Sequence, residues 1–411
     1  MSGSYLTYPT SNKLAPPERG FKMNRLDRRE FLATSAAALA ALTRTGDVAL
    51  ASPQSQPAGG RLLGTVELGA VSGAPPAPLG TLLGSGLDAR LFADLSRLAP
   101  DRLLMSNEQF FVRTSYPATL DAAKPWTIHL GGLVATPRSL PLDELKPLVR
   151  PFGACLLECA GNTNPSNFGL LSAAEWAGVP LAAVLDRMQP ARGATRVLIS
   201  GVDDFTRPSQ TSVPGASWIF TRDDLDRAGA FLATAMNGVP LPRDHGFPVR
   251  LMVPGWYGCA CIKWVDRIEL VAADAASTPQ MTEFAQRTHQ NGHPARARDF
   301  TPAVIDLAAM PVRVEKWQAG GRLVYRVVGI MWGGSKPTSA LHIRFRRDEP
   351  FVSVGDCPMP ATTRTWSLWS HLWRPQTPGR YQIVLRVNDP TIRTRRLDLY
   401  FYVREVQLDE T

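Results

Sequence analysis

The sequence contains five cysteines, at positions 155, 159, 259, 261 and 357, and thiolate is a soft, strongly donating metal ligand. Three kinds of chemistry are open to them. Cys155 and Cys159 together with Cys259 and Cys261 could bind structural zinc, although their spacings are not those of common zinc modules. In an oxidising compartment, one or two pairs could instead form disulfides. Alternatively, one thiolate could ligate a catalytic metal, and spacing alone does not choose among the three.

The residues around Cys159 do favour one of them. In the run PFGACLLECAGNTNP, this cysteine follows an apolar strand-like stretch and precedes Ala160, Gly161 and Asn162. Small residues in a turn allow the backbone to approach a bulky cofactor closely. The run resembles the cysteine loop of the sulfite oxidase family, in which the thiolate binds molybdenum carried on a molybdopterin. The resemblance therefore implies that Cys159 is the metal ligand and a catalytic residue.

Further segments resemble the same family in the same order along the chain. They cover most of residues 100–270, and the last of them is the longest and most specific. The segments are FFVR at 110–113, WTIHLGGLVATP from Trp126, AEWAGVPLAAVL at 174–185, ISGVDDF with Asp203, and MNGVPLPRDHGFPVRLMVPGWYGCACIKWVDRIEL from Met236 to Leu270. The resemblance implies cofactor contacts at Phe111, Val112, Arg113, Asp203, His245, Arg250, Cys261, Ile262 and Lys263.

These residue types suit a pterin that carries a phosphate. Arg250 could neutralise the phosphate as a bidentate fork and Lys263 as a point charge. Asp203 could accept hydrogen bonds from pterin N–H groups. Arg113 is expected near the metal, where a cation holds an oxyanion, and is the second predicted catalytic residue. Cys155 and Cys259 are expected to be buried, unreactive thiols, and no role is assigned to Cys357.

The sequence departs from the family pattern on the substrate side. Sulfite-oxidising members have arginines directly after Cys-Ala-Gly-Asn, whereas Thr163 and Asn164 stand here. Those members also have a tyrosine beside the metal, and the corresponding stretch QMTEFAQRTHQNG has none. His289 is the nearest residue in it that could donate a proton or hydrogen bond. The departures leave cofactor binding intact and leave the substrate open.

The resemblance implies two-electron oxo transfer on a small sulfur oxyanion such as sulfite. No C-x-x-C-H motif occurs, so we expect no c-type haem on this chain and a separate cytochrome as electron acceptor. Two alternatives stay open. The same cofactor could serve a reductase of oxidised sulfur, such as a sulfoxide, or the chain could be a non-catalytic member that only binds the cofactor.

The elements that must position these residues are short. With 35 prolines and 33 glycines in 411 residues, turns and short strands should dominate. WTIHLGGLV and TRVLISGV predict strands, and LDELKPLV and VPLAAVLDRM predict helices. After residue 302, four segments that begin with RLVYRVVGI alternate apolar and polar residues, which predicts a β-sandwich. The fold class is therefore α+β: a molybdopterin-binding domain followed by an all-β immunoglobulin-like domain.

The domain boundaries follow from these patterns. Residues 1–51 are expected to be a signal peptide, 52–100 a linker or N-terminal arm with a short helix near 87–98, and 101–285 the molybdopterin-binding catalytic domain. Residues 286–302 are expected to be a connector or an active-site loop, and 303–411 the sandwich. In this family such a domain supports homodimers. Trp366, Trp369 and Trp373 are expected either in its core or at an interface.

The N-terminus predicts export. Arg28 and Arg29 precede Phe31, Leu32 and a short apolar run that ends in the A-x-A site Ala49–Ala51. This layout resembles a twin-arginine signal, which carries folded proteins to the periplasm. The apolar run is too short for a membrane span. The net charge of +9 is spread along the chain, which argues against nucleic-acid binding and favours a cleft for an anionic cofactor or substrate.

Overall fold

The computed structural model describes residues 56–71, 77–162, 168–203, 209, 212–399 and 401–411. The predicted export signal at residues 1–51 lies outside the described residues, as do Thr163 and Asn164.

Strands dominate the described part of the chain, and its α-helices are short. The α-helices are α1 (Leu181–Leu185), α2 (Arg222–Ala228) and α3 (Pro279–Glu283). In chain order the strands are β1 (Arg61–Val66), β2 (Gly69–Ala70), β3 (Arg90–Leu91), β4 (Val112–Arg113), β5 (Thr127–Gly132), β6 (Arg138–Pro141), β7 (Arg150–Glu158), β8 (Leu171–Pro180), β9 (Arg196–Gly201), β10 (Ser217–Thr221), β11 (Phe231–Met236), β12 (Val239–Pro240), β13 (Arg250–Met252), β14 (Val265–Val271), β15 (Ala308–Ala319), β16 (Arg322–Trp332), β17 (Leu341–Arg344), β18 (Val352–Ser353), β19 (Ser367–Trp373), β20 (Gly379–Val387) and β21 (Arg404–Leu408).

Two large sheets and the two-stranded sheet β3-β4 are formed entirely by strands that precede residue 285. One large sheet has the order β10-β9-β14-β5-β6, in which only the β14–β5 pair is parallel. The other has the order β12-β11-β8-β7, with β13 paired to β11. Strands β7 and β8 form a long antiparallel pair whose register ends at Glu158. The residue after that end is Cys159, so a well-paired strand delivers this cysteine to its position.

The local predictions in this region hold for strands better than for helices. WTIHLGGLV and TRVLISGV form β5 and β9, as predicted. VPLAAVLDRM contains only the five-residue helix α1. LDELKPLV forms a 3-10 helix at Leu142–Leu148, which includes Pro147. Proline has no backbone N–H to donate in an α-helix, so the tighter and shorter form is favoured.

Two further sheets follow residue 302 and form the predicted β-rich, sandwich-like region. Their orders are β1-β15-β16-β19 and β18-β17-β20-β21-β2. Strands β1 and β2 come from the stretch predicted as a linker or arm. Instead of a helix near 87–98, this stretch has 3-10 turns at Gly86–Asp88 and Leu95–Arg97. The side chains of β1 are mostly exposed, so the strand is held by backbone pairing and shows no apolar alternation.

The three tryptophans of the WSLWSHLW segment are buried, which favours the core interpretation over an exposed anchor. Trp366 donates its Nε1–H to the carbonyl of Leu103 at 2.9 Å. Trp369 donates to the carbonyl of Ile330 at 3.0 Å. Trp373 stacks on Phe345, with ring centroids 4.0 Å apart. A search of the described residues finds no helix with the length and apolar character needed to cross a bilayer.

Candidate functional site

Nine of the ten predicted site residues surround one cleft, which we call the main cleft. It contains about 830 Å³ of space, including its open mouth. The tenth residue, Val112, is buried in β4 next to the cleft and does not line it. The nine that line it are Phe111, Arg113, Cys159, Asp203, His245, Arg250, Cys261, Ile262 and Lys263. Sequence positions from 111 to 263 thus meet at one place.

Two cations lie buried in the wall of the main cleft. Arg250 donates from Nη1 to the carbonyl of His245 and from Nη2 to that of Cys261, both at 3.1 Å. Its Nε–H has no hydrogen-bond partner among the described residues. Lys263 donates from Nζ to the carbonyls of Arg113 at 2.9 Å, Asp244 at 2.8 Å and Thr114. Burial lowers the pKa of Arg250 to about 10 and that of Lys263 well below its ordinary value.

No carboxylate forms an ion pair with either cation within the part of the chain that the structure describes. Burying a charge without a partner is costly, and a nearby anion would offset that cost. The main cleft is therefore suited to a ligand that carries a phosphate. The unpartnered Nε–H of Arg250 is a donor that such a ligand could satisfy.

His245 and Asp203 present hydrogen-bond acceptors to the main cleft. His245 is 4% exposed, and its Nε2 lies 2.9 Å from the carbonyl oxygen of Asn107. Because a carbonyl only accepts, Nε2 carries the proton and Nδ1 is left as an acceptor. Burial lowers the pKa of His245 to about 4, so the ring is neutral at pH 7. Asp203 accepts backbone N–H groups from Gly215 at 2.7 Å and Ala216 at 2.8 Å, and burial raises its pKa.

Cys159 lies where β7 ends, and 6% of it is exposed. Its Sγ accepts the backbone N–H of Gly161 at 3.3 Å. A Cβ at Gly161 would stand 3.2 Å from Nη1 of Arg287 and 3.5 Å from Sγ of Cys159. The absence of a side chain therefore lets the sulfur and the guanidinium share this space, as expected for a loop that approaches a bulky group.

Two more arginines interact electrostatically with Cys159, and one of them, Arg113, lines the main cleft. Arg113 donates to the carbonyl of Leu87 and to Oγ of Ser212 at 2.5 Å. Burial lowers the pKa of Arg113, and the Cys159 sulfur opposes that shift. Burial and Arg113 lower the pKa of Arg90 to about 10, again opposed by Cys159. Both cations thus act electrostatically on the cysteine.

Cys159 also lines a second cavity, which we call the basic cavity. It holds about 1170 Å³, including its open mouth. Besides Cys159, the titratable residues along it are Glu158, Tyr257, Arg287, His289, Asp306, Arg393, Arg395, Arg396 and Tyr402. The predicted candidate His289 is among them. The cysteine therefore stands between a cleft lined by the predicted cofactor contacts and a cavity rich in arginine.

Most of the arginines that line the basic cavity form ion pairs with carboxylates. Arg395 forms a bidentate pair with Glu158 at 2.7 and 2.6 Å. Arg393 lies 3.0 Å from Asp306, and Arg396 pairs with Asp398 outside the lining. No ion pair involves Arg287 within the described ranges. This arginine thus supplies uncompensated positive charge next to the cysteine sulfur.

The other cysteines support no second metal site. All five are free thiols, and the described residues contain no group of three or more His, Cys, Asp or Glu that could hold a metal ion. Burial raises the pKa of Cys155 and of Cys357 to about 12, and it raises that of Cys259 well above its ordinary value. They are therefore inert thiols at neutral pH.

Four residues of the site had no place in the sequence-based prediction: Arg90, Glu158, Arg287 and Arg395. Arg90 belongs to the stretch read as a linker or arm, and Arg395 to the sandwich. Arg287 and His289 lie in the stretch interpreted as a connector or active-site loop. The closely spaced arginines of TIRTRR were the only local signal for Arg395, and they do not reveal that Glu158 is its partner.

Comparisons with known proteins agree with this geometry. Residues 114–279 match the family described as the oxidoreductase molybdopterin binding domain. Mitochondrial sulfite oxidase of Macaca fascicularis is 29% identical over 269 residues, which cover 58% of this chain and 49% of that protein. Sulfite oxidase of Gallus gallus is 28% identical over 307 residues, covering 67% and 64%. An inducible NADH nitrate reductase of Glycine max is 32% identical over 176 residues, covering 38% and 19%.

The fold also matches a solved structure. The crystal structure of the sulfane dehydrogenase SoxCD from Paracoccus pantotrophus aligns with a TM-score of 0.57 and 17% identity, and the alignment covers 84% of this chain and 91% of that one. At this identity the likeness concerns the fold. The chain spans about half the length of the macaque relative and less than two thirds of the chicken one.

Proposed function

We propose that this chain, a member of the sulfite oxidase family of molybdopterin-dependent oxidoreductases, oxidises a small sulfur oxyanion such as sulfite by two electrons. The electrons pass to a separate one-electron acceptor of the cytochrome class. One observation carries the proposal: Cys159 lines both the main cleft and the basic cavity. A metal held by this thiolate would therefore face a bound cofactor on one side and an anion on the other.

The residues of the main cleft fit molybdopterin. Arg250 and Lys263 provide buried positive charge for the phosphate, and the free Nε–H of Arg250 provides a donor. His245 and Asp203 present acceptors for the N–H groups of the pterin. Cys159 would ligate the molybdenum. When bound, this cofactor supplies two-electron oxo transfer.

The basic cavity favours an anion over a neutral substrate. Arg287 adds positive charge next to Cys159, and the Nε–H of Arg395 has no hydrogen-bond partner in the part of the chain that the structure describes. A neutral sulfoxide would leave the charge of Arg287 without a counter-ion. An oxyanion would supply that counter-ion, so we expect the cavity to bind a sulfur oxyanion in preference to a sulfoxide. The sulfoxide reductase is thus the weaker of the two enzymatic hypotheses.

Export by the twin-arginine route to the periplasm is part of the same proposal. It is supported by Arg28, Arg29 and the apolar run that follows them. The route carries folded proteins, which suits a chain that receives its cofactor before export. Replacement of both arginines by lysine should leave the protein in the cytoplasm, and cell fractionation with immunodetection would check this. Unchanged export of that variant would contradict it.

The C-terminal region is proposed to be an immunoglobulin-like domain that supports a homodimer. Strand β1 lies at an edge of one of its sheets and exposes Leu62 by 49% and Leu63 by 38%. An apolar sheet edge is a natural template for pairing with another chain. Light scattering should show that the wild type is a dimer and that Leu62→Glu dissociates into monomers more readily. A monomeric wild type would refute the proposed homodimer.

The central test combines metal analysis with steady-state kinetics on protein expressed with its native N-terminus. We expect stoichiometric molybdenum and sulfite-dependent reduction of a cytochrome. Sulfoxide reduction by a reduced dye, without sulfite oxidation, would favour the reductase. Molybdenum without redox activity would indicate a non-catalytic binder. The absence of both molybdenum and pterin would overturn the whole proposal.

A further inference from the structure

The basic cavity contains a histidine and a carboxylate in direct contact. Nε2 of His289 lies 3.2 Å from Oδ2 of Asp306, and Asp306 is 6% exposed. Nε of Arg393 lies 3.0 Å from the same oxygen. His289 and Arg393 therefore converge on one oxygen of this carboxylate. An ionised carboxylate only accepts hydrogen bonds, so it favours the His289 tautomer whose proton is on Nε2.

That tautomer leaves Nδ1 of His289 as a lone pair. No hydrogen bond to Nδ1 of this residue occurs among the described residues. The imidazole lines the basic cavity together with Cys159, and its side chain is 34% exposed. A neutral imidazole that a carboxylate orients from its far nitrogen is the arrangement of a general base.

The backbone holds His289 in an unfavourable conformation. Its φ is 62°, in the left-handed region that residues with a side chain rarely adopt. The neighbours on both sides are anchored. Thr288 donates from Oγ1 to the carbonyl of Phe284 at 2.9 Å, and Gln290 donates from Nε2 to the carbonyl of Thr301 at 2.9 Å. Strain that is maintained by such anchoring is concentrated at functional sites.

We propose that His289, oriented by Asp306, is the proton acceptor of the reaction in the basic cavity. The proposal rests on the proposed function. Oxidation of SO₃²⁻ with one H₂O gives SO₄²⁻, two protons and two electrons. As the O–H bonds of the water break, one proton passes to Nδ1 of His289 and the other to solvent. The cofactor, when bound, would accept the two electrons, and two equivalents of the one-electron acceptor would remove them, so atoms, electrons and charge balance.

The charges around His289 allow it to act as a base. Burial lowers its pKa, Asp306 raises it, and Arg393 and Arg395 lower it, with a net shift downward. The ring of Tyr257 faces it, with centroids 6.3 Å apart. The ring is therefore neutral at pH 7 and becomes an imidazolium beside Asp306 when it accepts a proton. The remaining titratable groups along the cavity are Glu158, Cys159, Arg287, Arg396 and Tyr402.

The first experiment does not depend on turnover. ¹⁵N-histidine NMR of the full chain would report the tautomer and pKa of His289, assigned with His289→Gln. We expect the Nε2–H tautomer in the wild type. Asp306→Asn should lower the pKa of His289, because the charge that favours the imidazolium is lost. An Nδ1–H tautomer, or a pKa that does not respond to Asp306→Asn, would overturn the dyad.

The second experiment uses the molybdenum-loaded enzyme. Loss of a general base costs about 10²–10⁴-fold in rate. His289→Gln should therefore lower kcat by about 100-fold or more, with KM for sulfite and molybdenum content unchanged, and should abolish the fall in kcat as pH drops. His293→Gln is the matched control, because His293 lies in the same segment and is exposed. A kcat of His289→Gln within twofold of this control would refute the role. A wild type without molybdenum or sulfite oxidation would instead refute the proposed function, and the NMR result would still decide on the dyad.

Discussion

The buried pair between Glu158 and Arg395 allows a quantitative prediction for Glu158→Gln. Glu158 is the residue before Cys159, and its side chain is 1% exposed, whereas that of Arg395 is 9% exposed. The carboxylate accepts two hydrogen bonds from Arg395, at 2.7 and 2.6 Å, and one from Nε1 of Trp332 at 2.8 Å. Glutamine keeps the shape, removes the charge, and turns an amide NH₂ toward one of these donors.

The expected cost follows from the charge that stays behind. Removing one partner of a buried ion pair typically costs about 3–5 kcal/mol, because the remaining charge is buried without compensation. Arg395 would keep its bond to the hydroxyl of Tyr402 at 2.9 Å, and this bond does not replace a negative charge. We therefore expect Glu158→Gln to lower the free energy of unfolding by about 3–5 kcal/mol. The double variant with Arg395→Met should cost less than either single variant.

Urea unfolding followed by tryptophan fluorescence would measure these differences as shifts of the midpoint at a constant m-value. The matched control is Asp398→Asn. Asp398 also pairs with an arginine through two hydrogen bonds, at 2.8 and 2.7 Å, but its side chain is 53% exposed. Exposed pairs contribute roughly 0–1 kcal/mol. If Glu158→Gln costs no more than this control, or if the double variant costs the sum of the single ones, the assigned role of the pair is wrong.

Three further perturbations follow from the site. Cys159→Ser should fold and should lose activity by more than about 100-fold. Loss of a metal ligand should cost more than the 10–100-fold effect of removing a group that only hydrogen-bonds to a ligand. Bound molybdenum with wild-type activity in this variant would contradict the prediction. Arg287→Gln should raise KM for sulfite by roughly 10–100-fold, the equivalent of one charge-assisted hydrogen bond, whereas Arg298→Gln, at an exposed arginine, should leave KM unchanged. Burial lowers the pKa of His245 to about 4 from 6.5, so the unfolded chain binds the proton first, and stability falls as pH drops from about 6.5 to about 4. His245→Gln should reduce the pH dependence of the unfolding free energy in this range by about 1.4 kcal/mol per pH unit. Thermal unfolding of the wild type and the variant across this range would measure the difference. If stability changes with pH equally in both proteins, His245 does not titrate in this way.

Local sequence patterns predicted the strands in which exposed and buried side chains alternate, and those in which buried side chains follow one another. Strands β5 and β9 carry such alternation and β16 is a continuous buried run, and all three occur where the sequence predicts them. The sequence-based prediction made the helices too long. The apolar spacing in LDELKPLV and VPLAAVLDRM does not reveal how soon a proline or a turn ends each helix. Strand β1 could not be predicted, because backbone pairing holds it and its side chains are exposed.

By itself, the sequence determined the cofactor side of this protein. The Cys159 loop and the motifs on both sides of it consist of contiguous residues whose identity and order carry the information. Only the tertiary structure showed which residues line the proposed substrate cavity. Arg287 and His289 meet Arg395 at the basic cavity from a distant segment. Asp306 contacts His289 and Glu158 pairs with Arg395, whereas no ion pair to Arg287 occurs within the described ranges. Charge compensation depends on distance through space, which no pattern of neighbouring residues records.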